Sequence, residues 1–122
     1  MPVAARVQTT GANKVIAFLK AQSLKGRVTR RVSVGYSASY AAFVHENLAA
    51  FHPQGGQAKF LETPMRANLA EMDRIVKVNL ANKESLETSL YRAGWYLLNE
   101  SQPLVPVLTG FLRDSGYVKV TS

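Results

Sequence analysis

The stretch that decides the fold is VSVGYSASYAAFVHENLAAFHPQGGQAKFLETPMR, residues 32 to 66. It opens with alternating apolar residues, a pattern that predicts the end of a half-buried strand. From Tyr40 onward the apolar residues fall at helix-like spacing, although a short strand from Tyr40 to Val44 also fits. A loop with Pro53 and the pair Gly55-Gly56 follows, and the stretch ends where a helix begins. Strand, helical segment, loop and helix start in this order predict an α+β domain.

The residues on the N-terminal side of this stretch predict a strand with a positively charged outer row. Residues 27 to 36 alternate in polarity, and Arg30 interrupts the apolar face, so that end of the strand is expected at the rim of the sheet. The apolar face contains Val28, Val32, Val34 and Tyr36, and the outer face contains Arg27, Thr29, Arg31 and Ser33. Residues 2 to 9 predict a short edge strand. Residues 14 to 24 carry apolar positions at helical spacing and predict a helix that Gly26 ends.

On the C-terminal side, the pattern predicts two longer helices and a final strand. Thr63-Pro64 predicts a helix start, with a hydroxyl N-cap and a proline at the first helical position. A second helix over residues 84 to 101 ends before Pro103. The inward positions are Met65, Leu69, Met72, Val76 and Leu80 in the first helix and Leu86, Leu90, Ala93, Leu97 and Leu98 in the second. After a turn at Thr109-Gly110, residues 111 to 120 predict a strand.

The whole chain is predicted to form one α+β domain, in which a small twisted sheet, antiparallel or mixed, carries two longer helices on one face. Its 122 residues, 47% of them hydrophobic, suffice for one buried core. The absence of cysteine excludes disulfides, thiolate metal ligands and thiol nucleophiles. No apolar run reaches the roughly 20 residues of a membrane helix, and the N-terminus lacks the apolar segment of a secretion signal. We therefore expect a soluble protein that is made and used in a cytoplasm.

Positive charge is concentrated in the N-terminal third. The formal net charge is +7, and residues 1 to 45 contain seven Lys or Arg and no acid, whereas the remainder carries eight residues of each sign. The predicted basic patch consists of Lys25, Arg27, Arg30 and Arg31. Such a surface suits nucleic acid or an acidic protein neighbour, and it also fits a solvated surface that keeps the protein soluble.

Three segments carry a family resemblance. VGYSASYAAFVHE, residues 34 to 46, resembles the "VG…YA.YVE" strand of the tail-completion and head–tail joining proteins of long-tailed bacteriophages. AKFLETPMRAN, residues 58 to 68, resembles the "PFL.PA" helix start of that family, and PVLTGFLRDSG, residues 106 to 116, resembles its "PV.TG.LR.S" turn and strand. In the commonest form of the family, the helix and the "PV.TG.LR.S" segment precede the "YA.YVE" strand. Here they come last, and His45-Glu46-Asn47 replaces the usual "EFGT" ending, so the chain resembles a permuted variant.

The resemblance implies a structural virion protein at the neck, where a homo-oligomeric ring joins the portal side of the capsid to the tail tube. It implies no active site, no enzyme activity, no cofactor and no metal. Its expected partners are neighbouring portal-side and tail-tube proteins, and contact with packaged DNA stays open. The expected location is the virion, with the host cytoplasm during assembly. The candidate motif and interface residues are Tyr40, Phe43, His45, Glu46, Gly55, Gly56, Phe60, Leu61, Thr109, Gly110, Leu112, Arg113 and Ser115.

The sequence also allows two other functions, nucleic-acid binding and metal-dependent hydrolysis. A small nucleic-acid-binding module would use the basic patch, although no helix-turn-helix or RNA-binding motif is present. A metal hydrolase would use His45, Glu46 and His52, because a spacing of seven puts both imidazoles on one helix face. The HE-x-x-H pattern is absent, which weighs against the hydrolase.

Two further features have open roles. Tyr91 and Trp95 share a helix face and suit either an interface or the core, with the core favoured for Trp95. Arg113 and Asp114 would point to opposite faces of the predicted final strand, where one residue fixes the turn and the other meets a neighbouring subunit, unless both are merely solvated.

The Gly55-Gly56 loop is expected to be a flexible surface excursion that orders against a neighbour.

Overall fold

A four-stranded antiparallel sheet forms one side of the molecule. The computed structural model describes residues 3–10, 14–22, 29–47, 56–106 and 110–121. The strands lie side by side in chain order, and each pairs antiparallel with the next. They are β1 (Ala4–Thr10), β2 (Lys14–Gln22), β3 (Thr29–Tyr36) and β4 (Gly116–Thr121). Within the described sheet, β1 and β4 are therefore the two edge strands.

The helices lie between β3 and β4 in the chain. They are α1 (Ala41–Glu46), α2 (Glu62–Ala67), α3 (Leu69–Ala81), α4 (Leu86–Ser101) and α5 (Phe111–Asp114), and a 3-10 turn at Gln102–Leu104 follows α4. Ser85 caps α4, because its hydroxyl accepts a hydrogen bond of 3.0 Å from the Thr88 N–H. The helix ends at Ser101, and the 3-10 turn that follows contains Pro103, which cannot continue an α-helix.

The sheet has one covered face and one open face, and the strand register assigns each side chain to one of them. Val7, Ala17, Val34 and Val118 form one row across all four strands on the covered face. Helix α4 packs on this face over β2, β3 and β4, and α3 packs against α4. The described residues of the open face include Arg6, Gln8, Ile16, Phe18, Lys20, Gln22, Arg31, Ser33, Gly35, Tyr117 and Lys119.

Helix α4 comes very close to the sheet at Gly94. A Cβ atom there would lie 2.9 Å from Cγ1 of Val118, 3.0 Å from Cγ1 of Val32 and 3.1 Å from Cγ2 of Val34. The missing side chain thus allows the helix backbone to rest on β3 and β4. The core between the layers also contains Met72 and Val76 of α3, which are fully buried.

These observations confirm the predicted fold class: a small antiparallel sheet carries two longer helices on one face. The predicted strands near residues 2 to 9 and 27 to 36 are present as β1 and β3. The predicted second long helix is α4, and all five of its predicted inward residues are buried.

The helix predicted over residues 14 to 24 is wrong, because Lys14–Gln22 is the strand β2. Its buried side chains alternate, and they are Val15, Ala17, Leu19 and Ala21. The outward residues Ile16 and Phe18 are also apolar, so burial alternates along this strand while polarity does not. Pairing with β1 on one side and β3 on the other overrides the local helical spacing.

The start of the first long helix and the final strand also differ from the prediction. Thr63 lies inside α2 instead of capping it, since its N–H already donates to the Lys59 carbonyl at 2.9 Å. Asn68 divides α2 from α3; its side-chain amide donates to the Pro64 carbonyl at 2.7 Å, and its φ is −117°. Leu69, predicted to point inward, is consequently 38% exposed. Phe111–Asp114 is the short helix α5, so the final strand begins only at Gly116.

Candidate functional site

The segments that carry the first and the third of the three family-like motifs meet at one corner of the molecule. The Ser37 N–H donates to the Ser115 carbonyl at 3.1 Å, and the Ala38 N–H donates to the Ser115 hydroxyl at 3.1 Å. That hydroxyl in turn donates to the Leu112 carbonyl at 2.7 Å. Ser115 therefore joins the turn before α1 to the end of α5, although 77 residues separate Ala38 from Ser115 in the sequence.

Three aromatic side chains, Tyr40, Phe43 and Phe111, lie on these two segments, and we call them the aromatic corner. Their exposed fractions are 40%, 64% and 62%, respectively. The rings of Tyr40 and Phe111 stack with centroids 6.3 Å apart and planes 29° apart. Phe43 follows Tyr40 by three residues, a spacing that puts both on one side of α1. Large apolar side chains this exposed are typical of surfaces that meet a partner.

Phe111 was missing from the predicted site residues. The segment was predicted as a strand, in which Phe111 would simply have alternated inward or outward. The signal that identifies the helix is Gly110, which precedes Phe111 and adopts a positive φ of +82°. A left-handed residue at this position turns the chain immediately before α5.

A buried polar network lies beneath the corner. The Ser101 hydroxyl donates to the Phe60 carbonyl at 2.7 Å, so the Tyr36 hydroxyl, 2.9 Å away, must be the donor to Ser101. The side-chain amide of Gln102 donates to the Tyr36 hydroxyl and to the Arg113 carbonyl, each at 3.1 Å. Burial raises the pKa of Tyr36, which keeps this hydroxyl protonated. The network joins β3, the end of α4 and α5, and it holds the base of the corner in place.

His45 joins α1 to the beginning of α2. Its imidazole is fully buried, packs edge-on against Phe60 at 5.0 Å, and accepts at Nε2 a hydrogen bond of 3.2 Å from the Glu62 N–H. The proton must then sit on Nδ1, which lies 3.5 Å from Oε1 of Glu46. Burial lowers the pKa of His45. The hydrogen bond from Lys59 lowers the pKa of the Glu46 carboxyl, and Lys59 forms an ion pair with it.

This arrangement makes His45 a structural residue. Its acceptor nitrogen is occupied by a backbone N–H, and no part of the ring reaches solvent. An imidazole in this position lacks the free lone pair that a metal ion or a substrate proton would need. His52, the other member of the hydrolase hypothesis, lies outside the described residues.

The remaining motif residues have scaffold positions or adjoin the corner. Phe60, Leu61 and Leu112 are buried in the core. Gly56 has a φ of +93°, and a Cβ there would fall 2.4 Å from Cα of Pro106, so this end of the predicted loop is docked on the segment after α4. Arg113 is half-buried and Asp114 is exposed, and both belong to α5 rather than to a strand. Gly55 and Thr109 lie outside the described residues.

The predicted basic patch is divided between the two faces of the sheet. Arg30 lies on the covered side, where its Nε donates to Oε1 of Glu87 at 3.0 Å. Arg31 lies on the open face beside Lys20, its partner in β2. Lys25 and Arg27 lie outside the described residues. Arg30 and Arg31 are adjacent in sequence and therefore cannot share one binding surface of the sheet.

A second pair of exposed aromatic residues lies on α4. Tyr91 and Trp95 make an edge-to-face contact with centroids 6.2 Å apart, as their spacing predicts. Trp95 is 41% exposed, so the core position favoured for it is wrong. The covered side of α4 is instead occupied by small and aliphatic residues such as Ala93 and Leu97.

The described residues contain neither a metal-binding cluster nor a membrane-spanning helix. No group of three or more His, Asp or Glu side chains there is arranged to hold a metal ion. Nor does any helix of that part of the chain combine the length and the apolar character that crossing a membrane requires. Comparisons with family models, with curated proteins and with solved structures find no match to this chain.

Proposed function

We propose that this protein is a structural component of a phage virion, which forms a homo-oligomeric ring at the head–tail junction and joins the portal side of the capsid to the tail tube. The observation that carries the proposal is the meeting of the motif segments. Residues 37 to 46 and 110 to 115 share hydrogen bonds through Ser115, and together they present the aromatic corner. The resemblance of these segments to neck proteins supplies the location.

The aromatic corner suits protein binding because its rings are exposed but well supported. Interfaces are enriched in Tyr and Phe, whose rigid side chains lose little conformational freedom when a partner covers them. The Ser115 hydrogen bonds and the Tyr36–Ser101–Gln102 network fix the backbone below the rings. A surface organised before it binds pays less ordering entropy on assembly.

The edges of the sheet offer a second means of assembly. In the described sheet, β1 and β4 each pair on one side only. Unpaired strand edges readily add a strand from a neighbouring chain. Because the two edges differ, contacts that join one edge to another surface of the next subunit are head-to-tail and close a ring when the rotation permits. The mechanism is complementarity of surfaces, with no chemical step and no cofactor.

The presence of the protein in virions tests its location. Quantitative mass spectrometry of purified particles should detect the chain at a low copy number relative to the major capsid protein, as one ring per particle requires. If the infected cell contains the protein but mature particles lack it, the structural role is wrong.

A pair of matched variants tests the surface. Phe43→Glu places a charge on the aromatic corner, and Val78→Glu places the same charge at an exposed position of α3, where the side chain is 44% exposed. We expect Phe43→Glu to fold normally but to be absent from particles, since burying an unpaired carboxylate in an interface costs several kcal/mol. Val78→Glu should be incorporated normally. Equal incorporation of both variants would exclude the aromatic corner as the assembly surface.

A further inference from the structure

The open face of the sheet carries a cluster of positive charge that no acidic residue neutralises in the part of the chain that the structure describes. The four strands contain no Asp or Glu. Among the side chains that the structure describes, four cationic ones lie on this face, one from each strand, and we call them the basic face: Arg6, Lys20, Arg31 and Lys119. All four are exposed, and none belongs to an ion pair among the described residues.

The strand register places these cations in two adjacent rows of the open face, with Lys20 and Arg31 in one row and Arg6 and Lys119 in the next. Lys20 on β2 lies directly opposite Arg31 on β3. Lys119 lies opposite Ser33, two residues along β3 from Arg31, and Arg6 lies opposite Phe18, two residues along β2 from Lys20. Neighbouring members are therefore about 5 to 8 Å apart at their Cβ atoms. Like charges directly opposite each other are unfavourable, so this arrangement favours a bound anion.

Two aromatic rings on the open face lie next to members of the basic face: Phe18 is in the row of Arg6 and Lys119, and Tyr117 is two residues from Lys119 on β4. The Arg6 guanidinium lies over the ring of Phe18, 5.3 Å from its centroid. On the other side of β3, the end of the Tyr117 ring lies over Gly35, where a Cβ would be 2.9 Å from the Tyr117 hydroxyl oxygen. Gly35 has no side chain, so the Tyr117 ring can lie across β3 at this position. Both rings are half-buried, and neither belongs to the hydrophobic core.

We propose that the open face binds single-stranded nucleic acid, with the basic face contacting phosphates and with Phe18 and Tyr117 stacking on unpaired bases. Cations that follow a backbone and aromatic rings that take successive bases are the two components of single-strand binding. A base can also stack on a guanidinium, as Arg6 over Phe18 permits. This inference is independent of the proposed place in the virion.

The charge and the rings together favour one kind of bound molecule on the open face over the others. A second copy of this face would repel the first, because both carry only positive charge. An acidic protein would satisfy the four cations but would not need the flat rings. Duplex DNA would offer phosphates, while its bases remain stacked inside the helix and inaccessible to Phe18 and Tyr117. Single-stranded nucleic acid uses both features.

Fluorescence anisotropy of a labelled oligothymidylate, titrated with the full chain over a range of salt concentrations, tests the proposal. The double variant Lys20→Gln/Arg31→Gln removes two cations of the basic face. Arg66→Gln/Lys77→Gln removes two cations from the exposed sides of α2 and α3, and it is the matched control for net charge. We expect the first variant to bind roughly 25-fold more weakly near 0.1 M salt and to lower the slope of log K against log salt by about 1.4. The control should lose much less.

The rings are tested separately with Phe18→Leu and Tyr117→Leu, after thermal melting shows that each variant is folded. Each should weaken binding roughly 5- to 150-fold, the range measured for loss of one stacked base, without changing the salt slope. Equal binding by the two double variants overturns the proposal. So does binding to duplex DNA of the same length at equal or higher affinity, and so does unchanged affinity in both ring variants, which would assign the face to acidic partners generally.

Discussion

At the scale of single residues, His45 makes the stability of the fold depend on pH. Burial lowers the pKa of the folded imidazole below that of the unfolded chain. Between these two pKa values the unfolded state binds more protons, so the free energy of unfolding decreases as the pH falls. Protonation would also remove the acceptor that the Glu62 N–H uses. Stability should therefore be constant just above neutral pH and should decrease as the pH is lowered below about 6.5.

Chemical unfolding followed between pH 8 and pH 5 measures this decrease, and His45→Gln should make the curve flatter over that range. Lys59 lowers the pKa of the Glu46 carboxyl, so this group also contributes to the free energy of unfolding. That contribution is lost only at a more acidic pH than the contribution of His45. His52→Gln is the comparison, since the chain has two histidines. A pH dependence that survives in His45→Gln and disappears in His52→Gln would show that the assignment to His45 is wrong.

At the scale of secondary-structure elements, the contact between α4 and the sheet depends on the absence of a side chain at Gly94. Alanine would favour the helix by about 1 kcal/mol relative to glycine. Its Cβ would, however, fall 2.9 to 3.1 Å from methyl groups of Val118, Val32 and Val34. Overpacking of this kind costs about 1 to 3 kcal/mol, so we expect Gly94→Ala to lower the free energy of unfolding by about 1 kcal/mol.

Urea unfolding of Gly94→Ala and Gly94→Val measures the effect, and the valine variant should be the less stable of the two. Asn99→Ala changes an exposed residue of the same helix and should raise stability by about 0.5 kcal/mol. If Gly94→Ala is as stabilising as Asn99→Ala, then α4 does not rest on the valines in the way the structure indicates.

The same elements show what sequence patterns predict and what they miss. Helix α4 was predicted correctly because its buried residues follow one helical stripe from Leu86 to Leu98. Strand β2 was missed because both of its faces carry apolar residues, and only its two neighbouring strands decide the outcome. Tyr40 and Phe43 are interface candidates only through the family resemblance, since their local spacing predicts no more than an apolar helical stripe, and the structure exposes both. Their contact with Phe111 could not be predicted, since it depends on tertiary packing of distant segments.

At the scale of the whole molecule, charge is arranged differently on the two sides. On the helical side, Arg66, Arg74 and Lys77 each have an acidic partner three or four residues away. On the open face, Lys20 and Arg31 face each other, and no Asp or Glu lies in any strand. Removing one arginine from each side should therefore change stability in opposite directions.

Arg31→Gln should stabilise the fold at low salt by about 0.2 to 1 kcal/mol, because it removes a like-charge pair across two strands. Arg66→Gln should destabilise it by a few tenths of a kcal/mol, because it removes an i,i+4 ion pair with Glu62. At about 1 M salt the screening length falls to about 3 Å, so both differences from the unmodified protein should shrink toward zero. Thermal unfolding of the three proteins at low and high salt measures this convergence. A destabilising effect of Arg31→Gln that persists at high salt would mean that the arginine stem packs on the sheet, and that like-charge repulsion on the basic face is weak.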